Sequence, residues 1–168
     1  YISEDTSFGR PACNEIISLM ESSQGVLWAG TWYGGLARFN KETGQFRYYF
    51  GEGDTLTIPR IRTLFQRTAN SFYLGSDDGL YTFNTTTGEC LPTDDEQNKE
   101  SIYACYQDRE GGIWIGTYFS GVSYLSPKHK DIEWYYPNGT ENSLSGNVIS
   151  QFCEDPDGNI WIVTEDGG

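Results

Sequence analysis

Four times in 168 residues the chain spells nearly the same seven-residue phrase: GVLWAGT ending at Thr31, NSFYLGS at Ser76, GGIWIGT at Thr117 and GNIWIVT at Thr164. The aromatic anchors Trp28, Tyr73, Trp114 and Trp161 stand 45, 41 and 47 residues apart, a period that fits propeller blades or helical arrays. A unit of that length cannot bury its own apolar face, so the copies must stack on one another.

With Ile16, Ile61, Ile102 and Ile149 set in register, sixteen positions align without a gap as far as Thr31, Ser76, Thr117 and Thr164. Three steps after each isoleucine stand Leu19, Leu64, Cys105 and Phe152, and eleven steps after stand Leu27, Phe72, Ile113 and Ile160. Between these apolar runs lie SSQG, RTAN, DREG and DPDG, each ending in Gly or Asn. Those residues tolerate the left-handed backbone of a tight hairpin, so each copy should open with two antiparallel strands. A further turn and a third strand follow, as LARFN, LYTFN and VSYLS, and a fourth as FRYYF, IEWYY and a weaker ECLP.

Each complete copy therefore reads as a four-stranded antiparallel meander in an all-β chain. Strand two is apolar on nearly every residue, as in Ile113, Trp114 and Ile115. A sheet with one wet face would alternate, so strand two should be covered on both faces. The radially stacked blades of a β-propeller meet that demand. The expected blades run over about 13–50, 58–92 and 100–136, with a half-blade at 146–168. A seven-bladed ring at this period needs roughly 300 residues. The chain is accordingly expected to be a partial propeller of about three and a half blades from a longer protein. Its partners are then the remaining blades or a second copy, which would cover the apolar blade faces at its ends.

The formal charge of −13 repels phosphate backbones and anionic lipid surfaces, and no basic stripe offsets it, so direct nucleic-acid binding is not expected. Apolar runs are too short to span a membrane. Cys13, Cys90, Cys105 and Cys153 lack CxxC spacing. The last three occupy repeat positions that are apolar in other copies, so they read as small core hydrophobes. Catalytic triads, paired histidines and phosphate loops do not occur in the sequence. The single histidine, His129, sits in the charged turn SPKHKD. No catalytic residue, metal ligand or cofactor is expected.

Asp155, Asp157 and Asn159 around Gly158 have the look of a calcium loop, but the glycine is misplaced and no closing glutamate follows, which leaves a hairpin turn. The same segment faintly resembles the aspartate box of sialidase propellers, although Pro156 and Ile160 stand where that box wants Asp and Ser or Thr. Asn84-Thr85-Thr86 and Asn138-Gly139-Thr140 match a glycosylation acceptor pattern, yet both fall in turns where Asn is common for backbone reasons.

In a four-stranded meander the turn after strand two and the crossover to the next blade lie at the same end. That places Trp32 and Tyr33, Asp77 and Asp78, Tyr118 and Phe119, and Glu165 and Asp166 on one loop face, joined by the crossovers GEGDTLT, DDEQNK and PNGTENSLSG. Aromatic rings beside carboxylates and amides suit a neutral sugar, whose C–H faces stack and whose hydroxyls need acceptors. The alternative is that these rings pack sideways on an adjacent blade.

The segments QDREGGIWIGTYFSGV (Gln107 to Val122), SSQGVLWAGTWYGGLARF (Ser22 to Phe39) and EDPDGNIWIVTEDGG, with the run-in NSLSGNVI (Asn142 to Ile149), closely resemble the two-component regulator propeller repeat. The second copy departs from it, with Tyr73 for Trp and a turn one residue shorter before Leu80. The resemblance implies a non-enzymatic sensor segment, the periplasmic propeller of a hybrid two-component protein. In such proteins the propeller precedes an Ig-like domain, a membrane span and a histidine kinase, and its ligand is typically an oligosaccharide. Similar repeats also resemble propeller lyases that act on cyclic peptide antibiotics with a metal and a histidine, and a purely structural propeller serving dimerisation is a third reading.

Overall fold

The computed structural model describes residues 15–51, 54–58, 60–93, 99–128 and 132–167. Cys13, His129 and parts of the crossovers GEGDTLT and DDEQNK lie outside the described residues. The chain divides into two compact units, 1–94 and 95–168.

In the first unit, β1 (Ile16–Glu21), β2 (Leu27–Thr31), β3 (Leu36–Phe39) and β4 (Phe46–Tyr49) form one antiparallel sheet in chain order. A second sheet holds β5 (Ile61–Thr68), β6 (Ser71–Ser76), β7 (Gly79–Asn84) and β8 (Cys90–Pro92). The second unit repeats the pattern with β9 (Ile102–Gln107), β10 (Ile113–Thr117), β11 (Val122–Leu125) and β12 (Ile132–Tyr135). The hairpin of β13 (Ile149–Glu154) and β14 (Ile160–Thr164) follows. These meanders are β-propeller blades, and the expected all-β partial propeller stands.

Successive blades within a unit dock through one repeated contact. Gly30 on β2 lies against Ile61, the first residue of the next blade; a Cβ on Gly30 would sit 2.2 Å from the Ile61 carbonyl oxygen and 2.2 Å from Ser18 Oγ. Ser18 Oγ itself donates to the Ile61 carbonyl at 2.9 Å. In the second unit a Cβ on Gly116 would sit 2.5 Å from Ile149 Cγ2. The glycine of the repeated phrase is thus the socket into which the next isoleucine fits, and both isoleucines are fully buried.

Around that socket the first unit packs Trp28, Leu36, Phe50, Ile58, Phe72, Leu74 and Phe83 into a core. Trp28 carries its ring from the first blade into the second, edge-on to Phe72 at 5.1 Å and to Phe83 at 5.8 Å. The second unit is built likewise on Ala104, Val122, Ile149 and Phe152.

Strands β2, β6 and β10 are covered nearly throughout, but β14 alternates. Its Ile160 and Ile162 pack on the β9–β12 sheet, while Trp161 is 63% and Val163 49% exposed. No described residue covers that opposite face, which is why the expectation of two covered faces fails there. Cys153 pairs with Trp161 across the hairpin and is exposed on the same face, so it is not a core residue. Cys90 and Cys105 are half-buried, and burial pushes both thiols up to about 12.

At the opposite end of the blades, aspartates tie the first turn to the anchor. Asp108 accepts from the Gly112 amide at 2.7 Å and from Trp114 Nε1 at 2.9 Å. Asp155 accepts from the amides of Asn159 and Asp157, from Asn159 Nδ2 and from Trp161 Nε1. The DPDGN segment is therefore a hairpin turn whose aspartate serves the chain itself. Asn84 and Asn138 act similarly, each closing its own turn through Oδ1.

Two outcomes follow. Gly30→Ala should cost about 1–3 kcal/mol by overpacking, read as faster hydrogen exchange across β5 in the complete protein; unchanged protection of the Ile61 region would refute the socket. The hydrogen bonds from Asn159 and Trp161 hold the Asp155 carboxyl at about 2. Its folded value lies below the ordinary one of about 3.9, so its stabilising contribution is complete above that value and lost as pH falls toward 2. The Trp161 indole N–H resonance should titrate near the lower value; a midpoint near 4 would contradict the assignment.

Candidate functional site

The turn after strand two is locked by the hydroxyl that ends the repeated phrase. Thr31 Oγ1 donates to the Gly35 carbonyl at 2.9 Å and accepts from the Gly34 amide at 2.8 Å. Thr117 Oγ1 does the same with Gly121 and Ser120, at 3.0 and 2.8 Å. Ser76 Oγ holds Gly79 and Asp78 in the shorter turn of the second copy. Gly35 and Gly121 have φ of +71° and +73°, and a Cβ on either would fall within 2.3 Å of a carbonyl oxygen of the fourth strand. Only glycine combines that conformation with so close an approach. The residues carried by these turns are therefore held on a rigid support.

Facing each turn, the hairpin register slips by one residue at the same place in all four copies, leaving Ile17, Arg62, Tyr103 and Ser150 as the extra residue of a bulge. A bulge re-aims its side chain and is frequent beside functional sites. Here a backbone bond closes it: Trp32 N to Glu15 O at 3.0 Å, Tyr118 N to Ser101 O at 3.0 Å, and Glu165 N to Val148 O at 2.9 Å. In two copies the bulge residue meets the first residue of the turn, Arg62 with Asp77 and Tyr103 with Tyr118.

In the first unit this geometry assembles one cluster. Asp77 is clamped between two guanidiniums, Arg60 Nη1 at 2.6 Å and Arg62 Nε in a shorter bond. Burial pushes the Asp77 carboxyl up, but the hydrogen bonds and charges of Arg62 and Arg60 outweigh it and hold it below the usual carboxylate range. Arg60 lies over the rings of Trp32, 4.7 Å from its centroid, and Tyr33 at 5.9 Å; Arg62 also lies over Trp32, at 5.3 Å. Trp32 is half-buried, Tyr33 is 59% exposed and Asp78 is exposed.

In the second unit Tyr118 stacks on Tyr103, with centroids 4.8 Å apart and planes 23° from parallel, and meets Phe119 edge-on at 4.2 Å. Phe119 is 68% exposed. Asp166 does not reach outward: its carboxylate accepts from the amides of Val148 and Asn147, and these bonds, Val148 first, hold it below the usual range. Glu165 is exposed. Among the predicted residues, Trp32, Tyr33 and Asp77 are brought together in one cluster and Tyr118 and Phe119 in another, while Asp166 is spent on the backbone of its own blade.

The family model of the two-component regulator propeller matches residues 11–33, 96–119 and 143–166, the three copies that keep the tryptophan anchor. Three segments of the chain are thus similar to the two-component regulator propeller repeat. Its fold is that of the extracellular domain of a proposed one-component system from B. thetaiotaomicron (23% identity, TM-score 0.77, 97% of this chain and 22% of that one). A proposed hybrid two-component system of the same organism is also similar in its extracellular domain (20%, TM-score 0.60, 92% and 26%). Virginiamycin B lyase from Staphylococcus aureus shares the fold at 13% identity (TM-score 0.67, 90% and 50%). The chain spans about a fifth to a quarter of the length of the two extracellular domains. No curated protein sequence matches it.

The second repeat, which the family model does not match, is the one whose turn carries Asp77. Sequence reasoning missed Arg60, Arg62 and Tyr103. No shared residue marks them: Arg60 precedes the register isoleucine, and the position after it holds Ile17, Arg62, Tyr103 and Ser150, four unrelated chemistries.

Thr117→Val keeps the shape and removes both side-chain bonds, leaving the Ser120 amide without its protein partner and the Gly121 carbonyl with only the residue-117 backbone amide, at 3.0 Å. A loss of about 1–3 kcal/mol is expected, seen as roughly 5- to 150-fold faster exchange of the Ser120 amide in the complete protein; no change there would show that the turn is held by other means.

Proposed function

We propose that this segment is a non-enzymatic, ligand-sensing part of an extracytoplasmic propeller in a two-component signalling protein, and that its ligand is an oligosaccharide met by the turns after strand two. One observation carries the reading: in two repeats an exposed ring, Tyr33 or Phe119, stands on a turn fixed by a buried threonine and backed by a second, half-buried ring. Such rings suit the C–H face of a sugar, and the fixed turn lowers the entropy cost of binding.

The regulator repeats support a role in signal transduction. The extracellular origin of the similar domains supports a location outside the cytoplasm, in the periplasm if the parent protein is anchored in an inner membrane and joined to a histidine kinase. No helix among the described residues is long and apolar enough to cross a membrane, so such an anchor would belong to the parent. The likeness to the lyase is one of fold, and fold alone assigns no chemistry.

The test is titration of the complete extracellular region with an oligosaccharide library, followed by Tyr33→Ala and Phe119→Ala. Saturable binding weakened about tenfold or more by either change, about 1.4 kcal/mol, is the expected result. Absence of saturable binding across the library would favour a scaffold, and binding indifferent to both changes would move the site elsewhere.

A further inference from the structure

The cluster in the first unit gathers two guanidiniums beside the exposed ring of Tyr33, donors that a neutral ligand does not need. Among the described residues, Arg60 and Arg62 both donate to one carboxylate, that of Asp77. Asp78, next in the turn, bears on Tyr81, whereas the groups acting on Arg60 are Asp77 and Tyr33. Arg60 commits Nη1 to Asp77, and a guanidinium has five N–H donors in a planar fork suited to a second carboxylate.

The backbone beneath it is held in an uncommon state. Arg60 has φ of +52°, a left-handed conformation that a non-glycine residue keeps only where the surroundings enforce it. Enforcement comes from the Arg60 amide, which donates to the Trp32 carbonyl at 3.0 Å. The result is a guanidinium laid over Trp32 and Tyr33 at the edge of the exposed ring.

The chain's charge of −13 argues against an anionic ligand only at long range. At physiological salt the Debye length is about 8 Å, so a group at contact distance responds to the two guanidiniums first.

We propose that Arg60, backed by Arg62 and by the Trp32–Tyr33 rings, takes the carboxylate of an acidic saccharide, with the sugar ring against Tyr33. This rests on the oligosaccharide reading above and narrows it to uronate-type ligands. Asp77 then acts as the resident counter-ion that positions both guanidiniums and competes with the ligand's carboxylate.

The experiment uses the complete extracellular region and a panel of uronate-containing oligosaccharides, each paired with its carboxyl-reduced neutral counterpart. A uronate ligand should bind at least tenfold more tightly than its reduced form and weaken with added salt. Arg60→Gln should abolish most of that preference, while Asp77→Asn, which removes the competing carboxylate, should tighten uronate binding several-fold. A merely structural cluster predicts the opposite for Asp77→Asn, a loss. Hydrogen exchange over 60–80 checks that both variants keep the fold, and Tyr33→Ala, at an exposed position, should weaken both members of each pair. Equal binding of acidic and reduced ligands, or looser uronate binding in a folded Asp77→Asn protein, overturns the proposal while leaving oligosaccharide sensing intact. Failure of every oligosaccharide to bind overturns both.

Discussion

The absence of a side chain at Gly30 and Gly116 is the constraint from which the rest of the structure follows. Each glycine leaves room for the first isoleucine of the next blade: at Gly30 its backbone carbonyl and side chain both arrive where a Cβ would stand, and at Gly116 its side chain does. Once Ile61 is seated, Trp28 can reach across to Phe72 and Phe83, and the hydroxyl of Ser18 meets the Ile61 carbonyl. The same approach brings the run-in of one blade against the turn of the blade before it. The Arg60 amide bonds to the Trp32 carbonyl, and the Gly121 amide bonds to the Asn147 carbonyl. The turns that carry exposed rings are thus fixed from below by their own threonine and from the side by the following blade.

Within that frame little freedom is left, and it is concentrated in two positions per repeat. The bulge residue and the first turn residue face each other, as Arg62 with Asp77 and as Tyr103 with Tyr118. Neither belongs to the core, so either can change without disturbing the socket, the anchor or the lock. The chemistry offered at each turn is set by this pair, and the next residue along, Tyr33 or Phe119, projects from it.

The architecture was legible because its causes are local and repeated. Isoleucine, anchor, threonine and glycine recur at fixed offsets, and each has one physical job. What the sequence did not reveal depends on contacts between copies. Arg60 precedes the register isoleucine of the second repeat, yet it acts on Trp32 of the first. The bulge that turns Arg62 toward Asp77 has no residue signature of its own, because its occupants differ in every copy. Cys153 matches half-buried residues elsewhere by position, and Trp161 buried or half-buried ones, yet both are exposed here, since burial belongs to the neighbouring blade and not to the strand. The aspartate that serves Trp114 or Trp161 lies six residues before its ring, one step outside the box to which the sequence invites comparison.

The acidic residues of the turns also change meaning once their partners are seen. Read from sequence, Asp77 and Asp166 are acceptors waiting for hydroxyls. In the fold both are already engaged, Asp77 by two guanidiniums and Asp166 by two amides. A carboxylate that has exchanged water for such partners gives them up only for something at least as strong, which a neutral hydroxyl is not. Their role is to fix geometry, which leaves the exposed rings of Tyr33 and Phe119 as the outward groups of the two clusters. A polar residue on a loop face therefore identifies a binding group only after its bonds within the chain have been subtracted.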